Sequence, residues 1–347
     1  MKWSTTASPA ECSRTWRTWS TSCHACSIST AAAFASAPWH VLESSAWSTN
    51  TSPSTAGSSA RRVGLVKSED SQVRLKPDPT SQLASGQLAG RTILGVFAHP
   101  DDESLACGGT LARAADAGAN VVLLCATRGE RGSICDPSLV PDGDLGRVRI
   151  RELHDAAAVL GVADVVVLDH PDGDVRWTDV ALLHDEIVAI VRRYRPDAVI
   201  TFDEDGLYWH MDHIGVHERT LTAVSSLGSD APPLYFVTMP NGVMGQVVEA
   251  AHAKGGAPPD SSLWGIAPEV FGFETEPPTF SVDVRDWVGR KLAALRCHRT
   301  QMGAHNPFVW IDEEEARRWL GTELFRRAPI DAAGASILEL LGERVTS

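Results

Sequence analysis

From Arg91 onward the chain alternates two kinds of apolar pattern. Short, almost unbroken runs of Val, Ile and Leu at 92–97, 120–126, 164–168 and 197–202 read as strands covered on both faces, because a strand with one wet face would alternate polar and apolar positions. The segments 104–117, 147–160, 179–194 and 213–225 repeat their apolar residues at helical spacing. The alternation predicts an α/β fold of Rossmann-like type, a mostly parallel sheet with helices on both faces. Right-handed crossovers then bring the carboxyl end of every strand to one rim. Beyond Leu227 the order weakens. A strand is expected at 234–239 and another at 280–284, followed by a helix at 288–298 with Lys291 and Arg296 on its polar side. The many Gly and Pro residues of 240–278 predict a loop-rich insertion placed to cover the mouth of whatever the rim holds. A last helix, 312–320, opens acidic and closes basic, the pattern of a solvated face.

Residues 1–90 show neither period. They are rich in Ser, Thr, Ala and Trp and hold five of the eleven tryptophans (Trp3, Trp16, Trp19, Trp39 and Trp47). Such a segment cannot assemble a core and reads as a disordered N-terminal arm, leaving 91–347 as the folded domain. A translated upstream region with a misplaced start codon would have the same composition. The arm carries eight Lys/Arg against five Asp/Glu; since the whole chain stands at −13, the remainder carries −16 against the arm's +3. That acidic body argues against a nucleic-acid partner.

Seven cysteines (Cys12, Cys23, Cys26, Cys107, Cys125, Cys135 and Cys297) form no dense framework. They read as reduced thiols in a cytoplasmic protein. Cys23 and Cys26 make a lone CxxC without the second pair a zinc site needs, and Cys107 and Cys125 read as buried packing residues. No apolar run approaches the about 18 residues of a spanning helix. The stretch before Ala31 also lacks the apolar core of a signal peptide.

Chemistry concentrates where the first strand should end. His99-Pro100-Asp101-Asp102-Glu103 puts one imidazole and three carboxylates into five positions, at the usual place for a site in an open α/β sheet. Imidazole and carboxylate are ordinary ligands for a divalent ion such as Zn²⁺, and a catalytic site needs three of them, leaving a position for water. His99 and Asp102 supply two. The third is expected from His210-Met211-Asp212-His213, which follows the 197–202 strand. Asp101 points away from its neighbour and suits a general base acting on the water that such an ion activates. Asp102 could instead cap the following helix. Gly108-Gly109 fits close helix packing better than a nucleotide loop, since neither GxGxxG nor a P-loop lysine is present.

These motifs carry a resemblance. Ala98-His99-Pro100-Asp101-Asp102-Glu103 with the later His-x-Asp-His resembles the PIG-L/LmbE family of zinc-dependent de-N-acetylases, and so do Ala126 to Gly132, Arg149 with Glu152, Phe202 to Tyr208 and Lys291 to Gln301. The resemblance implies an LmbE-like fold and a Zn²⁺ cofactor, with Fe²⁺ as the alternative. The ligands would be His99, Asp102 and His213, and the small-molecule partner an N-acetylglucosaminide-type amino sugar losing its acetyl group. Amidase action on a bulkier thiol-sugar conjugate and a non-catalytic carbohydrate-binding role are the competing functions. It further implies Asp101 as base, His210 as stabiliser of the oxyanion or donor to the leaving nitrogen, and Asp212 as the group orienting His210. Tyr208 would polarise the acetyl carbonyl, while Arg149 and Asp172 would contact the sugar. Met211 stands where the family generally has proline, and His298 matches a signature whose role does not follow from the sequence.

Overall fold

The computed structural model describes residues 86–344, apart from 257–262, 264–265, 273–276 and 333–336. Residues 1–85, most of the segment read as an arm, lie outside the described residues, as do Cys12, Cys23 and Cys26.

From Ile93 on, every residue of β1 (Thr92–Phe97) is buried, as expected of a strand at the centre of a covered sheet. It pairs in parallel with β2 (Asn120–Thr127), from Thr92 opposite Asn120 to Phe97 opposite Cys125, and on its other side with β4 (Ala198–Phe202). β3 (Asp164–His170) extends the sheet beyond β2, and β5 (Leu234–Thr238) extends it beyond β4. The chain thus steps outward from β1 to β3 and returns to the opposite side at β4. Strand order reverses between β1 and β4, which is where ligands of open α/β sheets bind, beyond the carboxyl ends of the strands.

Past β5 the sheet turns antiparallel. β7 (Thr322–Arg327) pairs with β5, β6 (Phe280–Asp283) with β7, and the two-residue β8 (Glu343–Arg344) with β6, for an overall order β3-β2-β1-β4-β5-β7-β6-β8. The sheet is thus mostly parallel, as read from the sequence, with an antiparallel extension at one edge. β7 escaped detection because its sequence, TELFRR, looks like surface, whereas Glu323 and Phe325 are buried.

Helices flank the sheet in two groups. α1 (Asp102–Asp116), α2 (Leu145–Leu160) and α6 (Val288–Cys297) pack on one another, and α3 (Val180–Tyr194) packs on α4 (Met211–Ser225). Their starts follow capping chemistry: Asp144 accepts from the Arg147 amide and Asp179 from that of Ala181. At the C-cap of α2, Gly161 adopts φ 80°. Among the described residues no helix is long and apolar enough to cross a membrane.

The 240–278 segment is less irregular than its composition suggests. It contains α5 (Val243–Ala253), whose buried Met244, Val247, Val248 and Ala251 recur at i, i+3, i+4 and i+7. This face joins a second apolar cluster with Leu105, Phe271, Leu292, Phe308 and the helix α7 (Glu313–Trp319). A capping box between Asp312 and Glu315 starts α7, as its acidic first turn foretells.

α1 is broken at Cys107 (φ −144°, ψ 26°). Past the break, the amides of Gly109 and Thr110 donate to the two oxygens of Glu323, at 3.0 and 2.7 Å, and Lys291 Nζ lies 2.6 Å from the same carboxylate. Lys291, expected on a polar face, is thus 3% exposed and neutralises a buried acid. Gly109 is required here: a Cβ would come within 2.6 Å of Val284.

The folded domain also starts earlier than residue 91. Leu88 is fully buried in the main core, and its amide donates to Ala117 O at 2.8 Å. A chain beginning at Gly86 should therefore be more stable than one beginning at Arg91 by about 2–3 kcal/mol, the value of burying one leucine. Thermal or urea denaturation of the two truncations checks this; equal stabilities would remove Leu88 from the core's energetics.

Candidate active site

The two motifs meet at the reversal of strand order. β1 delivers His99 to Glu103, and β4 is followed by the turn Gly206–Trp209 and then α4, which begins at Met211 with His210 as its N-cap. Gly206 has φ 55°, and a Cβ there would lie 2.8 Å from that of His213, so only glycine lets the turn pass so close to α4.

His99 Nδ1 lies 3.2 Å from His213 Nε2, Asp102 Oδ2 lies 3.4 Å from the former, and Asp102 Oδ1 lies 3.1 Å from the latter. Ligand atoms about 2.0–2.2 Å from a tetrahedral ion are separated by about 3.3–3.5 Å, so these separations, which reach both oxygens of Asp102, are close to those around a divalent metal. The far ring nitrogens support it. His213 Nδ1 is 3.0 Å from the Gly206 carbonyl, which can only accept, so Nδ1 carries the proton and Nε2 offers a lone pair. His99 Nε2 lies 3.1 Å from both Asp212 Oδ2 and Asp172 Oδ1, which turns the lone pair of Nδ1 inward. Asp102 does not cap α1 with its side chain; its Oδ2 accepts from the His99 amide at 2.7 Å.

Two other triads are close enough to hold an ion, His99–His210–His213 and His99–Asp172–Asp212. Each includes groups already engaged, as Asp102 is by the His99 amide. Asp212 accepts from the amides of Gly173 (2.6 Å) and Val175 (3.0 Å), Asp172 from that of Arg131 (2.8 Å), and His210 Nδ1 from that of Asp212 (3.3 Å). In the His99–Asp102–His213 set each imidazole turns inward the nitrogen that has no outer hydrogen-bond acceptor.

Asp101 sits beside this triangle. Its Oδ2 is 3.0 Å from Arg149 Nη2, and its side chain is 28% exposed against 5% for the arginine. Burial raises the Asp101 carboxyl above its ordinary range, with Arg149 opposing the shift. Arg149 is buried. It also donates to Pro100 O (2.5 Å) and Gly129 O (2.9 Å), and a Cβ on Gly129, at φ 64°, would meet its guanidinium at 2.2 Å.

Several expected roles change. Asp212 orients His99 and the 173–175 backbone, not His210 as expected. Both oxygens of Asp172 serve His99 and Arg131, and burial, outweighed by the His99 contact, leaves its carboxyl at about 2. Arg149 and Asp172 line the pocket; both oxygens of Asp172 and both Nη groups of Arg149 are bonded inside the protein, while Arg149 Nε has no hydrogen-bond partner among the described residues. Burial, reinforced by His213 and His99, lowers the His210 imidazole to about 4, so it is neutral at pH 7. With Nδ1 accepting a hydrogen bond, its proton is on Nε2. Tyr208 stands edge-on to His213 and His210, with ring centroids 5.1 and 5.8 Å away, and against Phe271 at 4.8 Å; burial keeps its hydroxyl protonated.

Over the triangle lies a pocket of about 370 Å³, within the range of small-molecule sites. Its wall mixes polar groups, among them Gln301, Asn306 and His210, with Leu105, Ile266, Leu295 and Phe308. The insertion thus reaches the mouth through Ile266. Glu103 and His298, hydrogen-bonded to each other at 3.0 Å, lie beneath Asp101 and were given no role by the sequence reading.

A family model described as GlcNAc-PI de-N-acetylase (PIG-L) matches residues 94–224. A 1D-myo-inositol 2-acetamido-2-deoxy-alpha-D-glucopyranoside deacetylase of Thermobispora bispora is 34% identical over 271 residues, 69% of this chain and 88% of the relative. The protein of the same description from Geodermatophilus obscurus is 36% identical over 270 residues, 68% of this chain and 91% of that one. Among solved structures, N,N'-diacetylchitobiose deacetylase from Pyrococcus horikoshii aligns with a TM-score of 0.48 and 24% identity, covering 72% of this chain and 88% of the other. Identity above 30% along nearly the whole length of such relatives places the chain in the PIG-L family.

Proposed function

We propose that the protein is a zinc-dependent hydrolase that removes the acetyl group from an N-acetylglucosaminide, the sugar being joined to a polar, polyol-like aglycone. The observation that carries this reading is the triangle of His99 Nδ1, Asp102 and His213 Nε2, with sides of 3.1–3.4 Å and Asp101 beside it. The names of the relatives, deacetylases of an inositol-linked acetamido sugar, supply the substrate class. Held by those three residues, the ion would polarise the acetamide carbonyl and acidify water. The remaining work belongs to the chain. Asp101, fixed by Arg149, takes the proton of the attacking water and passes it to the departing amine. His210 Nε2–H, on a ring neutral at pH 7, is a hydrogen-bond donor for the oxygen that gains charge, with Tyr208 as its neighbour. The two-imidazole, one-carboxylate set suits Zn²⁺ as in hydrolytic zinc sites and equally suits Fe²⁺, so the donor set alone does not choose between them.

Metal-reconstituted enzyme incubated with a panel of N-acetylglucosaminides differing in aglycone, with free amine measured, tests the proposal. Release of amine from the inositol-linked member is the expected result. Cleavage of bulkier acyl groups in preference to acetyl would move the reading to an amidase, and bound metal with no turnover on any acetamide would leave a carbohydrate-binding protein.

A further inference from the structure

Asp101 has φ 120° and ψ −24°, a backbone conformation that residues other than glycine rarely adopt. Its amide donates to Glu103 Oε2 at 3.0 Å. Glu103 Oε1 in turn accepts from Ser104 Oγ at 2.5 Å and from His298 Nε2 at 3.0 Å. Glu103 and His298 are each 1% exposed, and His298 Nδ1 is buried with no partner. A third carboxylate buried next to Asp101 and Asp102 is electrostatically unfavourable, and an apolar side chain would fill the space more cheaply. What an apolar side chain cannot do is hold the Asp101 amide. His298 is itself anchored independently: Glu152 binds the Thr300 amide (2.9 Å) and hydroxyl (2.6 Å), fixing the segment that presents the imidazole.

We propose that His298 is a positioning residue for the base: by clamping Glu103 it holds the Asp101 amide, and so keeps the Asp101 carboxylate where it meets the attacking water. The proposal rests on Asp101 being the base. Its effect belongs in turnover and not in metal binding, since neither Glu103 nor His298 belongs to the ligand triangle; His298 also borders the pocket, so KM is read beside kcat.

The test compares kcat, KM, bound metal and melting temperature for His298→Leu, His298→Gln, Glu103→Gln and the double variant His298→Leu/Glu103→Gln, with Asp101→Asn as reference. His298→Leu should lower kcat about 10- to 100-fold, the scale of a misplaced catalytic group. KM should stay within about threefold and one equivalent of metal should remain. A glutamine side-chain amide at this position can donate to Glu103, so His298→Gln should recover kcat to within about fivefold of wild type. The double variant should be no more than about threefold worse than the poorer single one, because both break the same chain. If His298→Leu does not fold, His298→Asn, a methylene too short to reach Glu103, takes its place. Turnover of the Leu (or Asn) variant within about twofold of wild type, while Asp101→Asn is inactive, overturns the positioning role alone. So does an additive double variant, or a loss that Gln fails to recover. An active Asp101→Asn overturns the base assignment, and the positioning role with it.

Discussion

Asp101→Asn should keep one equivalent of metal and lose turnover by about 10² to 10⁴, corresponding to roughly 3–5.5 kcal/mol of barrier. The amide is nearly isosteric, and its oxygen can still accept from Arg149, which keeps its bonds to the Pro100 and Gly129 carbonyls. The arginine is therefore not stranded, and the fold should survive. What disappears is the group that takes the proton from water and gives it to the amine. Metal content by elemental analysis together with kcat decides the matter. Retention of more than about a third of wild-type kcat at full metal content would show that Asp101 is not the base.

Replacing His99, Asp102 or His213 by Ala should lower bound metal from one equivalent to below about a tenth after dialysis, because two remaining ligands do not hold a catalytic ion tightly. Asp212→Asn forms an informative contrast. Asp212 supports His99 from behind the triangle, so its loss should weaken metal affinity by only about 10- to 100-fold. Full retention of metal by all three ligand variants would dismiss the triangle. Equal losses at Asp212 and at the ligands would mean that the ion sits on the other side of the His99 ring.

The parallel half of the fold was legible because its strands are apolar runs and its helices are periodic, and the candidate ligands because each half of the set lies within one short motif. The companions of those residues were not, since a buried charge takes its meaning from a partner distant in sequence. Lys291 reads as surface until Glu323 is found 2.6 Å away, and Arg149 as a sugar contact until it is seen bound to Asp101. Asp212 looked like the support of its neighbour His210; the turn of α4 aims it at His99 instead. His298 had no reading at all until Glu103 was seen to accept its Nε2 proton. α5 was a different kind of miss. Its Met244, Val247, Val248 and Ala251 pattern was present, but the surrounding Gly and Pro outweighed it.

The break in α1 has a consequence for the order in which the molecule is made. Asp102 and Glu103 lie on the first turn of that helix, before Cys107, and the amides freed beyond the break are held by Glu323, more than 200 residues later in the chain. All three proposed metal ligands and the five parallel strands have been synthesised by Thr238, yet the clasp on α1 waits for β7 to insert between β5 and β6. Such a long-range closure is slow relative to the local helices and the early strands. In a nascent or C-terminally clipped chain the three proposed ligands are all present while α1, which carries Asp102, is still unclasped, so catalytic competence is expected only once the three antiparallel strands have joined the sheet.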